Sequence, residues 1–399
     1  MKIIEGSITA PKGFKAAGVH CGIKKKKKDL AIIYCEVPAN AAAVFTSNKV
    51  KAASILVSQD AIRKGSKIQA IVANSGSANA CTGKKGIEDV KETVEFTAKE
   101  FGIQKNSVLV ASTGKIGMSL PMDKIKQGIK KVVSMLDSNG SSDAALAILT
   151  TDKIKKEIAV EIKIDGVPVR IGGIAKGSGM IYPNMATMLC FLTTDILIDR
   201  NALKSALKTS VDSSFNLITV DGDRSTNDMV AVLANGLAGN EKVYRNSSAY
   251  RIFQQVLSYV CTFLAKMMVK DAEGATKFIE VKVAGAASFA EAKIAAFSIA
   301  NSNLVKTAMY GEDPNWGRIV SAVGNAPIKL NPNKIDVFFS GIPVVCNNAP
   351  VSGGRERAKR LLSNNEIVIF VDLGIGKGKC SVWTSDLTPG YVKINAAYT

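Results

Sequence analysis

The chain has one histidine, His20, in "AAGVHCGI". A serine or cysteine activated by imidazole would have to use that ring. A lone histidine is ordinarily structural, because a catalytic one is recognised by its partners. If the protein forms a covalent intermediate, its base is then a lysine, a carboxylate or an α-amine. The α-amine is well suited, with a pKa near ~8. Inside a chain it becomes available only if the backbone is cut immediately before the nucleophile. The seven cysteines (Cys21, Cys35, Cys81, Cys190, Cys261, Cys346 and Cys380) are scattered and form no C-x-x-C pair. That spacing argues against a disulfide framework and a zinc site, and for a reducing compartment.

One seam fits such a cut. "GMIYPNMATMLCFLTTD", Gly179 to Asp195, runs from a loop into an apolar strand and places Ala186 and Thr187 at the junction. A threonine hydroxyl that attacks the preceding carbonyl forms an ester. Water then releases an N-terminal threonine whose own amine can serve as base for its hydroxyl. Taken alone, a threonine at this place reads as the first residue of a strand, since threonine favours strands. Two glycine-rich stretches carry weaker signals. "GGIAKGSG" (Gly172 to Gly179) lacks the G-K-[ST] order of a phosphate loop, and "GIGKGK" (Gly374 to Lys379) runs into another strand instead of a helix.

The elements that must hold these residues alternate along the chain. "LAIIYCEV" (Leu30 to Val37), "IQAIVAN" (Ile68 to Asn74) and "SVLVAST" (Ser107 to Thr113) are short and β-branched, and read as buried strands. "GIEDVKETVEFTAKEFG" and "PMDKIKQGIKKVVSML" have helical spacing, with Pro121 suited to a first turn. Glu157 to Ala175 reads as a hairpin around Asp165-Gly166. "RNALKSALKTSVDSSF" and the dense apolar stretch from Ser248 to Gly274 read as helices, and "EIVIFVDLG" and "KCSVWTSDL" return to strands. The expected class is mixed α/β with much hairpin, and 399 residues suggest two or three domains.

Composition narrows the partners. The formal charge is +18, yet only ten of the 52 basic residues are arginine. Nucleic-acid readers lean on arginine for bidentate contacts and on aromatic residues for stacking. "KKKKK" (Lys24 to Lys28) has no aromatic neighbours and reads as a solvated loop, so no nucleic-acid partner is expected. No apolar run reaches the ~18 residues of a membrane span. The N-terminus has no secretory pattern, and the expected location is the cytoplasm.

Seven ordered segments together resemble the ornithine acetyltransferase (ArgJ) family, the bifunctional glutamate N-acetyltransferases of arginine biosynthesis. They are "TAPKGFKAAGVHCGIKKKKKDLAII", "VANSGSANACTG" (Val72 to Gly83), "ASTGKIGMSLPMDKI" (Ala111 to Ile125), "KGSGMIYPNMATMLCFLTTD", "TVDGDRSTND" (Thr219 to Asp228), "VKDAEGATKFI" (Val269 to Ile279) and "GEDPNWGRI" (Gly311 to Ile319). The terminal "YVKINAAYT" extends the resemblance to the end of the chain.

The resemblance implies an α/β sandwich of the ArgJ and DmpA-like type, autoprocessed after Ala186 into residues 1–186 and 187–399. Thr187 is then the nucleophile. Thr113 and Gly114 form the oxyanion hole, whose donors are typically worth ~3–4 kcal/mol each. Thr150, Lys176, Thr187, Glu273, Asn395 and Thr399 are the implied substrate contacts. A carboxylate wants lysine and hydroxyl or amide donors, and the cationic end of ornithine wants a carboxylate such as Glu273. The implied reaction passes acetyl from N-acetylornithine to glutamate, with acetyl-CoA open as a second donor and no metal or organic cofactor implied. The implied assembly is a heterotetramer of two copies of each piece. Three positions depart from the family pattern: the ending after Asn395 is one residue short, Arg224 replaces a small polar residue, and Lys115 replaces an apolar one. "DPNWGR" (Asp313 to Arg318) matches without an assigned role. Two competing classes remain: an N-terminal-nucleophile aminopeptidase with water as acceptor, and a non-enzymatic protein that binds polyanions through its basic surface.

Overall fold

The computed structural model describes residues 1–182 and 188–397. The chain divides into two compact units: residues 1–216 with 223–268, and residues 217–222 with 269–399.

In chain order, the first unit contains β1 (Lys2–Ile4), β2 (Phe14–Val19), β3 (Leu30–Phe45), α1 (Ala53–Lys64), β4 (Ile68–Ser77), α2 (Gly83–Phe101), β5 (Val108–Lys115), α3 (Met122–Met135) and α4 (Ser141–Ala147). There follow β6 (Lys156–Ile164), β7 (Val167–Lys176), β8 (Leu189–Thr194), α5 (Arg200–Asp212), β9 (Met229–Ala234) and α6 (Ser248–Lys270). The strands run β1-β6-β7-β8-β9-β3-β4-β5, with β2 also on β3.

The long strand β3 joins two halves of this sheet. Its first part pairs with β2 and β4, its last part with β9, and the register shifts between Tyr34 and Ala39. Pro38 sits in that irregularity, where no ladder bond is required of it. Alternate residues of β4 and β5 then enter two different cores. Ala70, Val72, Val108 and Val110 pack on Val90 and Val94 of α2 and Ile125 and Ile129 of α3. Ile71, Ala73, Leu109 and Ala111 face Ile174, Leu189, Phe191 and Ala231 from β7, β8 and β9. The first unit is therefore one sheet whose two halves face each other across a core, with α2 and α3 packed on the other side of β4 and β5, and it bears out the mixed α/β reading. Strands buried on both faces need apolar residues at nearly every position, which is why they read as unbroken runs.

The hairpin falls where expected. β6 and β7 pair antiparallel from Ile164↔Val167 to Lys156↔Ala175, and Asp165 (φ 48) and Gly166 (φ 84) supply the two positive φ values of its turn. Pro121 lies just before α3 as its N-cap and not inside its first turn. α6 differs from expectation in another way. By length and composition alone it could cross a membrane, although half of its most apolar window is buried inside the protein. Its Phe253, Leu257, Val260 and Leu264 are fully buried. Gly173 of β7 makes the approach possible, since a Cβ there would lie 3.1 Å from Leu264 Cδ1. The apolar character of α6 thus serves a protein core.

The second unit contains β10 (Phe278–Ala286), α7 (Phe289–Ala300), α8 (Asn303–Tyr310), α9 (Trp316–Gly324), β11 (Asp336–Phe339), β12 (Ile342–Cys346), β13 (Ala349–Pro350), α10 (Gly354–Lys359), β14 (Glu366–Asp372), β15 (Gly378–Ser385) and α11 (Pro389–Ala396). Its sheet order is β13-β12-β11-β14-β10-β15. "DPNWGR" acquires a structural role here. Asn315 Oδ1 caps α9 by accepting from Arg318 N–H at 3.3 Å, and Asp313 pairs with Arg355 at 2.9 Å.

Candidate functional site

The parallel strands β4 and β5 end side by side, with Ser75 opposite Thr113 and Gly76 opposite Gly114. Gly114 has φ +133, and a Cβ there would lie 2.4 Å from the Gly76 carbonyl carbon. No side chain fits, so two backbones meet directly at this point. Asn227 fastens the arrangement: its buried amide donates to Ala78 O at 2.6 Å and to Ser112 O at 2.8 Å. Three stretches distant in sequence, "VANSGSANACTG", "STG" and "TVDGDRSTND", are thereby joined.

Thr113 is buried, and its Oγ1 accepts a hydrogen bond from Lys176 Nζ at 3.4 Å. Lys176 is the last residue of β7 and is itself almost fully buried. A buried ammonium needs a counter-charge, and Asp152 Oδ2 lies 3.9 Å away. Asp152 also accepts from Lys156 Nζ at 2.8 Å, Gly177 N–H at 2.7 Å and Thr150 N–H at 3.0 Å. Burial works to raise its pKa, but Lys176 and Lys156 overcome that and hold it well below the usual carboxylate range. Thr113, Gly114, Thr150 and Lys176 are thus gathered in the first unit around one ionised carboxylate.

Lys176 is paired with Leu189 in the β7–β8 ladder. Ala186 and Thr187, the expected cut site and nucleophile, lie outside the described residues, as does Thr399. The covalent neighbour of Thr187 is described: Met188 N–H donates to Asp228 Oδ1 at 2.7 Å. Asp228 is fully buried, and among the described residues its Oδ2 has no hydrogen-bond partner. Burial pushes its carboxyl up to about 8, against the opposing pull of Met188 N–H, Thr46 and Lys176. Displaced acids of this kind cluster at functional sites. The sequence reading missed Asp228. Its only signal was membership of the matching segment that ends at this residue.

Glu273 and Asn395 come together in the second unit. Asn395 Nδ2 donates to Glu273 Oε2 at 2.9 Å. Thr388 caps α11 and its hydroxyl donates to Gly274 O at 2.7 Å, which ties the helix to the turn carrying Glu273. A Cβ at Gly274 would lie 2.3 Å from Tyr391 N, so this close contact requires glycine.

The departures and the lone histidine also find places. Arg224 stacks over the Tyr182 ring at 5.3 Å, while Lys115 O accepts from Ala78 N–H at 2.9 Å. His20 Nε2 lies 2.7 Å from Lys24 O in an exposed loop, a structural position. The lysine run divides. Lys25, Lys26 and Lys27 are exposed, as a solvated loop requires, and Lys28 pairs with Asp143. Lys24 turns inward, and its Nζ donates to Leu149 O at 2.9 Å. All seven cysteines are unpaired. Among the described residues, no three His, Cys, Asp or Glu side chains gather as a metal site.

A profile of the ArgJ family matches residues 15–399. The arginine biosynthesis bifunctional protein ArgJ of Bacillus anthracis is 49% identical over 397 residues, covering 100% of this chain and 98% of that one. Among solved structures, ArgJ of Bacillus halodurans is 46% identical with a TM-score of 0.44, over 46% of this chain and 97% of that one. The Mycobacterium tuberculosis ornithine acetyltransferase, solved with ornithine, is 40% identical with a TM-score of 0.43, over 46% of this chain and 97% of that one.

Proposed function

The chain belongs to the ArgJ family, and on that premise we propose that it is a self-cleaving acetyltransferase that uses Thr187 as its nucleophile. It carries out acetyl transfer between ornithine and glutamate in arginine biosynthesis. In the first half-reaction the Thr187 hydroxyl attacks the acetyl carbonyl of N2-acetylornithine, and the Thr187 α-amine takes the hydroxyl proton. The tetrahedral oxyanion is held by the Thr113 hydroxyl and the Gly114 N–H. Collapse breaks the amide, the α-ammonium returns the proton to the leaving nitrogen, and ornithine departs. Glutamate's amine then attacks the acetyl ester, giving N-acetylglutamate and regenerating Thr187. One amide replaces another, so the exchange is close to thermoneutral.

The observation that carries this reading is the convergence of Thr113, Gly114, Thr150 and Lys176 beside the strand that resumes at Leu189. Lys176 and the Thr150 hydroxyl serve the substrate carboxylate, and Glu273, oriented by Asn395, serves the ammonium end of ornithine. Thr399 completes this set. The free amine arises when the Thr187 hydroxyl attacks the Ala186 carbonyl and water hydrolyses the ester. β7 precedes that cut and β8 follows it, and their ladder holds the two pieces together. The working form is soluble and cytoplasmic, with two copies each of residues 1–186 and 187–399. Acetyl-CoA is a second acetyl donor for glutamate.

The test is product analysis and intact mass. Incubation with N-acetylornithine and glutamate gives N-acetylglutamate and ornithine, whereas free acetate alone would identify a hydrolase. Thr187→Ala leaves one inactive 42.2 kDa chain, and continued cutting in that variant rules the mechanism out.

A further inference from the structure

Lys24 heads the lysine run, yet its side chain is built into the first unit. The buried Asp29 carboxylate accepts the backbone N–H groups of Cys21 (2.7 Å), Gly22 (3.2 Å) and Lys24 (2.8 Å) and fixes the loop. The Lys24 stem consequently lies over Gly76: a Cβ there would be 3.1 Å from Lys24 Cγ. Gly76 is the ladder partner of Gly114. The half-buried ammonium reaches Leu149 O at 2.9 Å, one residue from Thr150. An ammonium has three donors, and Leu149 O takes one. Lys24 thus lies beside the cluster of Thr113, Gly114, Thr150 and Lys176: its stem covers Gly76, the partner of Gly114, and its ammonium is bonded one residue before Thr150 and lies within electrostatic reach of Lys176 and Asp152.

The substrates of the proposed transfer differ in charge. N-acetylornithine brings one carboxylate, glutamate two, and both must be held in successive half-reactions. Lys176 offers one cation, tied to Asp152, and a second carboxylate calls for another. We propose that Lys24 binds a carboxylate of the acceptor glutamate, which makes the first residue of the lysine run a substrate-binding residue. This rests on the transfer reading above.

The charges facing Lys24 give the assignment a pH signature. Burial acts most strongly against its ammonium, Asp29 and Asp152 favour it, and Lys27 and Lys176 oppose it, leaving its pKa at about 8. The side chain is charged at neutral pH and loses its charge as pH rises through that value. Arginine keeps its charge throughout this range.

Steady-state kinetics on the full-length, self-processed enzyme test the proposal, with thermal melts reporting that each variant is folded. Lys24→Met is expected to raise KM for glutamate roughly ten- to a hundredfold, the range of a charge-assisted hydrogen bond, with kcat little changed. In the wild type, KM for glutamate climbs from pH 7 to 9; in Lys24→Arg that climb is flattened. An unchanged glutamate KM in Lys24→Met overturns the proposal, as does a wild-type pH profile in Lys24→Arg. Absence of N-acetylglutamate from the wild-type reaction is a different result, and it removes the transfer reading itself.

Discussion

Replacing Asp228 by asparagine should make the protein more stable at neutral pH. An acid whose folded pKa is raised to about 8 keeps its proton in the native state, while the unfolded chain gives it up near ~4. Between those values the unfolded state binds fewer protons, so stability falls as pH rises, by ~1.4 kcal/mol per pH unit. From pH 4 to pH 7 the loss is on the order of 4 kcal/mol, undiscounted because the group is fully buried. Asparagine has no such titration. Its carbonyl can still accept from Met188 N–H, and its NH2 takes the place of Oδ2, which has no hydrogen-bond partner among the described residues. The comparison belongs in a Thr187→Ala background, so that no new α-amine alters the charge beside Met188. Thermal melts from pH 4.5 to 7 should nearly coincide at the acid end. At pH 7 the Asp228→Asn form should melt roughly 5 °C higher. Parallel curves across the range would show that Asp228 titrates as an ordinary carboxylate and would refute the reasoning.

Thr113→Val removes the proposed hydroxyl donor while keeping the shape of the side chain. kcat should fall by roughly a hundred- to a thousandfold with little change in KM; equal losses in both half-reactions, read by hydroxylamine trapping and by transfer to glutamate, check the oxyanion role. Gly114→Ala inserts a Cβ 2.4 Å from backbone carbon of Gly76. It should therefore either prevent the β4–β5 closure or abolish self-cleavage, visible as an uncut chain by intact mass, and a fully processed, active Gly114→Ala enzyme would contradict the packing.

Much of the framework was legible in the residues. Strands β4 and β5 announce themselves because both faces are buried, and the β6–β7 hairpin because Asp165-Gly166 can take positive φ twice. β3 was harder. The apolar pattern stops at Val37, before Pro38, whereas the strand continues to Phe45 by shifting register and changing partners. Such a bend depends on β9, nearly 190 residues away, and no local pattern records it. α6 was legible as a helix from its dense apolar spacing, though only Gly173 on β7 explains how closely it packs.

The sequence by itself determined the chemistry that was available. It left imidazole-driven catalysis a single candidate, His20, marked Ala186-Thr187 as a seam where an amine could be made, and carried ordered segments that identify the family. Tertiary structure decided which charges are hidden. Lys24 and Lys25 are the same residue type in the same run, yet one is folded against Gly76 and the other is exposed. Asp152 and Asp228 are both buried carboxylates near Lys176, but Asp152 is ionised among two lysines while Asp228 is driven toward its neutral form. Desolvation and counter-charge come from atoms on other strands and loops. A residue's protonation state is therefore a property of the assembled fold.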